Sequence, residues 1–203
     1  MISLVTSAII NRKARIERST KETYVVVNLD IDGMGKTIVK TGFSFIDHLV
    51  TAIGKHSMMN INLTASSKDG IIHHLVEDVS IALSQTIDMA LLDRTHIIRF
   101  GYAVVPMDDS LAYVAIDLVK RQFYNIQLRL TRDAVERIPR EDIEHFVKSL
   151  LQNLNACTHV IVEYGNNDHH KIESAIKAFA IAFRMAASFD KRRRGVPSTK
   201  GLM

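Results

Sequence analysis

The sequence predicts an α/β (α+β) protein built by tandem duplication of one half-domain. Three observations carry that expectation. The motif His73-His74-Leu75-Val76-Glu77 returns 96 positions later as His169-His170-Lys171-Ile172-Glu173. A lone His precedes each motif at nearly the same distance, His48 by 25 residues and His145 by 24. Between these landmarks, strand-like alternation and helix-like periodicity follow one another in the same order in both halves. The halves fall at about 12–93 and 94–190 of one domain spanning 1–203, followed by a basic tail at 191–203.

Residues 12–32 read as two strands, since Ala14, Ile16 and Arg18 alternate and 23–29 are rich in β-formers. Asp32-Gly33-Met34-Gly35 is a turn and 36–40 a short strand. A helix begins within 41–48 and keeps its apolar face at Leu49, Ala52 and Ile53, with His48 in its first turns. Residues 56–65 read as a strand and 66–70 as a loop. The first His-His motif then opens a helix whose apolar face runs through Val76, Val79, Leu83 and Ile87 to about Leu92. After Asp93 the pattern restarts: a strand at 102–105, a turn at Pro106-Met107-Asp108-Asp109, and strands at 111–119 and 123–130. Residues 142–155 form a helix with His145 in its first turn. A strand at 158–164 and a loop at 165–168 lead to the second His-His motif, which opens a last helix to about 189.

Composition narrows the function classes. With 203 residues, 47% hydrophobic and 24% charged, the chain can bury a real core. The single Cys157 excludes an intramolecular disulfide and fits a reducing compartment, so a cytoplasmic location is expected. Residues 1–10 are apolar but lack a basic start and a small-residue cleavage site, and no apolar run approaches a membrane span. No signal peptide and no membrane partner are expected. The net charge is +4, with the excess at Lys191-Arg192-Arg193-Arg194 and Lys200. That run has no interleaved aromatics and no helix-turn-helix beside it, which argues against nucleic acid; a phosphate on a small substrate or a solvated tail accounts for the same excess. The length leaves no room for an additional phosphatase domain, so a bifunctional form is not expected.

On a helix, residues i and i+4 share a face, so His169 pairs with Glu173 and His73 with Glu77, while His74 and His170 point roughly 100° away. With His48 and His145, the halves offer eight candidate ligands: His48, His73, His74, Glu77, His145, His169, His170 and Glu173. Imidazole with carboxylate and no thiolate suits Mn, Fe, Co, Ni or Zn. Eight donors exceed what one ion accepts, so two ions, each with open positions for substrate, are expected.

Several segments resemble one family: Thr41-Gly42-x-x-Phe45-x-Asp47-His48, His73-His74-x-x-Glu77-Asp78, Pro106-Met107-Asp108, His145-Phe146-x-x-Ser149, Gly165-x-Asn167-x-His169-His170-x-x-Glu173 and Pro197-Ser198-Thr199-Lys200-Gly201. Together, from about Arg15 to Leu202, they are similar to the imidazoleglycerol-phosphate dehydratases, manganese-dependent lyases of histidine biosynthesis. The resemblance implies two halves, each with a four-stranded mixed sheet and helices on one face, the sheets packed together (a ribosomal protein S5 domain 2-like fold). It implies a homo-oligomer of 24 subunits with active sites at interfaces, and two Mn²⁺ ions per active site. It assigns catalysis to Glu173, Glu22 and Glu77, and substrate binding to Glu22, Arg99, Arg121, Asp108, Lys177, Ser198 and Lys200. The tail would fold over the substrate of a neighbouring subunit.

The implied reaction removes water from a glycerol phosphate that carries an imidazole. Metal at each ring nitrogen would favour the imidazolate, which expels the adjacent hydroxyl to give a diazafulvene. A carboxylate then takes the next proton, and the enol tautomerises to imidazole-acetol phosphate. The sequence departs from the family around the candidate ligands. Acidic residues that usually precede the first His pair give way to Ile71 and Ile72, and Leu75 follows the pair where Thr is usual. Asp47-His48-Leu49-Val50 replaces Asp-His-Met-Leu, and Lys120-Arg121-Gln122 replaces Gly-Arg-Pro. These departures predict an active but divergent enzyme with weaker metal binding in the first half. The competing reading is a non-catalytic metal-binding paralogue; the retained Glu22, Glu173, Ser198 and Lys200 weigh against it.

Overall fold

The computed structural model describes residues 11–200. The apolar start at 1–10 and the last three residues, with Gly201 of the tail motif, lie outside the described residues.

The first half begins with β1 (Lys13–Ser19) and β2 (Thr23–Asp30). Thr23, Val25, Val27 and Leu29 alternate on the buried face of β2. β3 (Thr37–Lys40) leads to α1 (Ser44–Ser57), β4 (Asn60–Ser67) and α2 (Ile72–Ala90). The second half repeats this order: β5 (Phe100–Met107), β6 (Ser110–Asp117), β7 (Phe123–Gln127), then a small hairpin of β8 (Ala134–Val135) and β9 (Ile138–Pro139), α3 (Arg140–Gln152), β10 (Cys157–Tyr164) and α4 (Asp168–Ala187). The sheets have equivalent orders, β1-β2-β4-β3 and β5-β6-β10-β7. In each, three strands are antiparallel and the edge strand before the first helix pairs in parallel with the last strand. The duplication legible in the His spacing is therefore a duplication of topology.

The halves meet through helices: α1 packs on α4 and α2 on α3. This corrects the expectation that the sheets pack together. The reason lies in α4, whose buried residues include Ile172, Ala175, Ile176, Phe179, Ala182 and Phe183, on more than one side of the helix. A helix apolar around most of its girth needs cover on two sides. Its own sheet, through β5 and β6, supplies one and α1 of the other half supplies the second. The contact on β5 is close: a Cβ added at Gly101 would stand 1.9 Å from the Ala182 carbonyl oxygen. Gly101→Ala is expected to cost at least about 1–3 kcal/mol, since the backbones must move apart; thermal denaturation checks it.

Several boundaries differ from the sequence expectation. His56 and Ser57 end α1, and the strand starts only at Asn60, because Met58 takes a left-handed turn (φ 66°). Pro106 and Met107 belong to β5, leaving Asp108 and Asp109 as the turn. β7 stops at Gln127, and the β8–β9 hairpin occupies part of the stretch between it and α3. α3 starts at Arg140 and ends at Gln152, and α4 starts at Asp168. Among the described residues, no helix is long and apolar enough to cross a membrane.

Candidate metal centres and active site

The helix pairing decides which ligands meet. In α1, His48 faces α4, and its Nε2 lies 3.4 Å from Glu173 Oε2. His169 Nε2 lies 3.2 Å from the same oxygen, one helical turn away from Glu173. On the other helix pair, His145 Nε2 of α3 lies 3.5 Å from Glu77 Oε1 of α2. The His145 and His73 rings stack with centroids 4.5 Å apart. Two like triads result, His48/His169/Glu173 and His73/His145/Glu77, with ligand atoms in each within 4.8 Å of one another. Each triad draws its lone His from one half and its clip from the other. Donors about 2.1 Å from one ion and at right angles stand about 3 Å apart, so both triads fit a cation with little rearrangement.

His74 and His170 turn elsewhere, as helical geometry requires. Their ring planes lie at 70° and 83° to those of His73 and His169. His74 Nδ1 is 2.7 Å from Asp69 and 3.7 Å from Glu22. His170 Nδ1 is 2.5 Å from Asp109, and its Nε2 is 3.4 Å from Asp108. Each His of both motifs thus has a carboxylate at Nδ1, with Asp142 on His73 at 2.6 Å and Glu136 on His169 at 3.0 Å. Such partners fix the ring and free Nε2 for a metal. The first half keeps such partners despite Ile71 and Ile72.

Charge in the two centres differs. Glu173 is 7% exposed. Burial raises its pKa, but the hydrogen bond and charge of Lys177 (Nζ–Oε1 2.8 Å), then His48, outweigh it and hold the carboxyl at about 2. Position 81, one turn beyond Glu77, is Ile81, and Glu77 is 42% exposed. A carboxylate whose folded pKa lies below its ordinary 4.5 binds fewer protons than in the unfolded chain. Its stabilising contribution is full above about pH 4.5 and is lost as pH falls towards 2. In metal-free protein, stability should therefore fall less across pH 4.5 to 2 in Glu173→Gln than in wild type; urea titrations at several pH values check it. Asp69 is held at about 2 by the Ile71 backbone N–H and by His74, whose own pKa is raised by Asp69.

Glu22 sits on the β1–β2 turn, 51% exposed, with a carboxylate oxygen 3.7 Å from His74 Nδ1 of α2. The turn is tied to α2 by Asp78, which is buried and accepts from Arg18 (2.7 Å) and the Thr23 hydroxyl. Glu22, Asp69 and His74 form a third, more exposed group.

The other substrate-binding candidates are spread out. Arg99, at φ 80°, forks onto Asp117 (2.6 and 2.9 Å) and donates to the Pro197 carbonyl (2.7 Å), so it anchors the tail. Ser198 is half-buried, Lys200 exposed, and Arg121 lies exposed in the bend after β6. Among the described residues, no side-chain hydrogen bond or ion pair joins Arg121, Ser198 or Lys200 to either triad. A cavity of about 680 Å³ opens beside His48 and His169, lined also by Phe43, Phe45, Glu136 and Arg137. Glu136 and Arg137 form its rim with φ 49° and 67°, a strained left-handed pair that aims Glu136 at His169. A larger hollow, about 850 Å³, lies on the outer face of the first sheet and has no His in its wall.

Sequence reading missed Asp69, Asp109, Glu136, Asp142 and Asp117. Asp142 alone carries a signal, an acid on the apolar stripe of its helix with Ile143, Phe146 and Leu150.

The fold and site define a class: duplicated α/β proteins with twin His–His–carboxylate centres between their halves. The imidazoleglycerol-phosphate dehydratase family model matches residues 41–183. An imidazoleglycerol-phosphate dehydratase of Desulforamulus reducens is 42% identical over 96% of this chain and 100% of its own length. One of Dehalococcoides mccartyi is 40% identical over 95% of this chain and 97% of its own. The crystal structure of the Pyrococcus furiosus enzyme superposes with a TM-score of 0.78 at 32% identity, covering 93% of this chain and 100% of that one. The chain belongs to the imidazoleglycerol-phosphate dehydratase family. Its activity is that of a carbon–oxygen lyase, the dehydration of imidazoleglycerol phosphate in histidine biosynthesis. The non-catalytic alternative is not favoured.

Proposed function

We propose that the dehydration runs at two Mn²⁺ ions, held by His48, His169 and Glu173 and by His73, His145 and Glu77. The observation that carries this reading is the pair of triads assembled across the halves. Ions held there would supply positive charge that favours the anionic form of the substrate imidazole.

The protein's own groups then divide the work. Glu173 has one oxygen towards His48 and His169 and the other on Lys177, which suits a ligand and fixed negative charge. Glu22, exposed and without a cationic side chain closer than His74, suits the base that takes the proton from the carbon bearing the second hydroxyl. Glu77 is the matching ligand of the other centre. Asp108 lies beside His170, within reach of substrate hydroxyls there. Lys177, Arg121, Ser198 and Lys200 are cationic or hydroxyl donors for the phosphate, with Arg99 holding the tail that carries two of them.

His74 and His170 face away from the triads of their own chain, which supports their completing centres in neighbouring subunits. Phe100, Tyr102 and Val104, exposed on the outer face of the second sheet, support association into a homo-oligomer, here the 24-subunit cage of the resemblance. The compartment is the cytoplasm, in keeping with one free Cys157.

The test is a Mn²⁺ titration of metal-free protein with turnover of imidazoleglycerol phosphate followed in parallel. Two ions per chain and metal-dependent formation of the ketone are expected. Product formation without bound metal overturns the reading.

A further inference from the structure

Asp142 is 3% exposed, set among Ile143, Phe146 and Leu150 on α3. A buried carboxylate needs a strong partner. Its partner lies across the molecule: Asp142 Oδ1 is 2.6 Å from Nδ1 of His73, in the first turn of α2. The residues just before His73 in the chain, Ile71 and Ile72, offer no side-chain acceptor. The other three motif histidines take carboxylates from their own halves, Asp69 for His74, Asp109 for His170 and Glu136 for His169. His73 is the one whose partner comes from the opposite half.

We propose that Asp142 is a positioning residue for the first-half centre, supplying from α3 the carboxylate that the Ile71–Ile72 segment lacks. This rests on the reading of His73, His145 and Glu77 as metal ligands. The carboxylate accepts the Nδ1–H bond, which leaves the lone pair of His73 on Nε2 and holds the ring in stack with His145. Asp142 and His145 are three residues apart, on one face of α3. One helix of the second half therefore supplies both a ligand of this centre and the group that orients its neighbour. Docking α3 on α2 then brings in a ligand together with an orienting group, whereas in the other triad α1 brings only His48 and Glu136 reaches His169 from an exposed hairpin of the same half.

Two readouts test this. Mn²⁺ titrations are made in a His48→Ala background, which leaves only the first-half centre. There, Asp142→Leu should weaken binding by about 10–100-fold. Asp142→Asn, which keeps an acceptor oxygen without the charge, should weaken it less, and Glu136→Gln not at all. If Asp142→Leu gives no cooperative melt, Asp142→Asn decides. Unchanged affinity in the folded variants overturns the proposal. The second readout needs no metal: solid-state ¹⁵N spectra of histidine-labelled, metal-free protein, with His73 assigned by its loss in His73→Gln. Wild type should show the proton of His73 on Nδ1, and Asp142→Leu should lose that preference. A wild-type His73 protonated on Nε2 alone overturns the proposal whatever the metal does. A proton on Nδ1 in protein that binds no Mn²⁺ overturns the metal reading and leaves the positioning role standing.

Discussion

Glu22→Gln lowers turnover of imidazoleglycerol phosphate by about 10²–10⁴-fold, the usual worth of a positioned general base, and leaves the bound metal unchanged. The loss is large because the amide cannot accept the proton, although it fills the same space. The fold is retained because the side chain is half-exposed and its turn is held by other groups: Thr20 Oγ accepts from the Glu22 and Thr23 amides, and Asp78 accepts from Arg18. Steady-state kinetics with metal analysis on the same samples check it. Normal turnover would contradict the assignment of the base to Glu22.

Glu173→Gln loses turnover for a different reason. Its Oε2 stands between His48 and His169, so the variant gives up an anionic ligand and the charge that balances Lys177. One of two bound ions is expected to leave, and turnover to fall by about 10³-fold or more as several kcal/mol of charge stabilisation go. The protein still folds, since the amide oxygen accepts from Lys177. Comparing the two variants separates base from ligand: both lose turnover, and only Glu173→Gln loses metal.

Much of this arrangement is legible in the sequence, for physical reasons. The i, i+4 rule alone pairs His169 with Glu173 and His73 with Glu77, and it turns His74 and His170 aside. The nearly equal spacings of His48 and His145 from their motifs, 25 and 24 residues, reveal the repeat. The crossing of the ligands between halves is not legible, because periodicity marks the apolar faces of α1 and α4 without saying that they face each other. The orienting carboxylates are hidden for a similar reason. Asp109 and Glu136 sit on short turns whose positions depend on tertiary packing, and Asp142 reaches a residue 69 positions away. Nor is the setting of Arg99 legible, since its contacts with Asp117 and the Pro197 carbonyl span 18 and 98 positions.

Each proposed metal centre takes its triad from both halves, and counting Mn²⁺ in two double variants tests that directly. His48→Ala combined with Glu173→Gln strikes one centre twice and should leave one ion per chain. His48→Ala combined with Glu77→Gln strikes both centres and should leave none. The reverse pattern would mean that each half holds its own ion, and would contradict the crossing of ligands between halves.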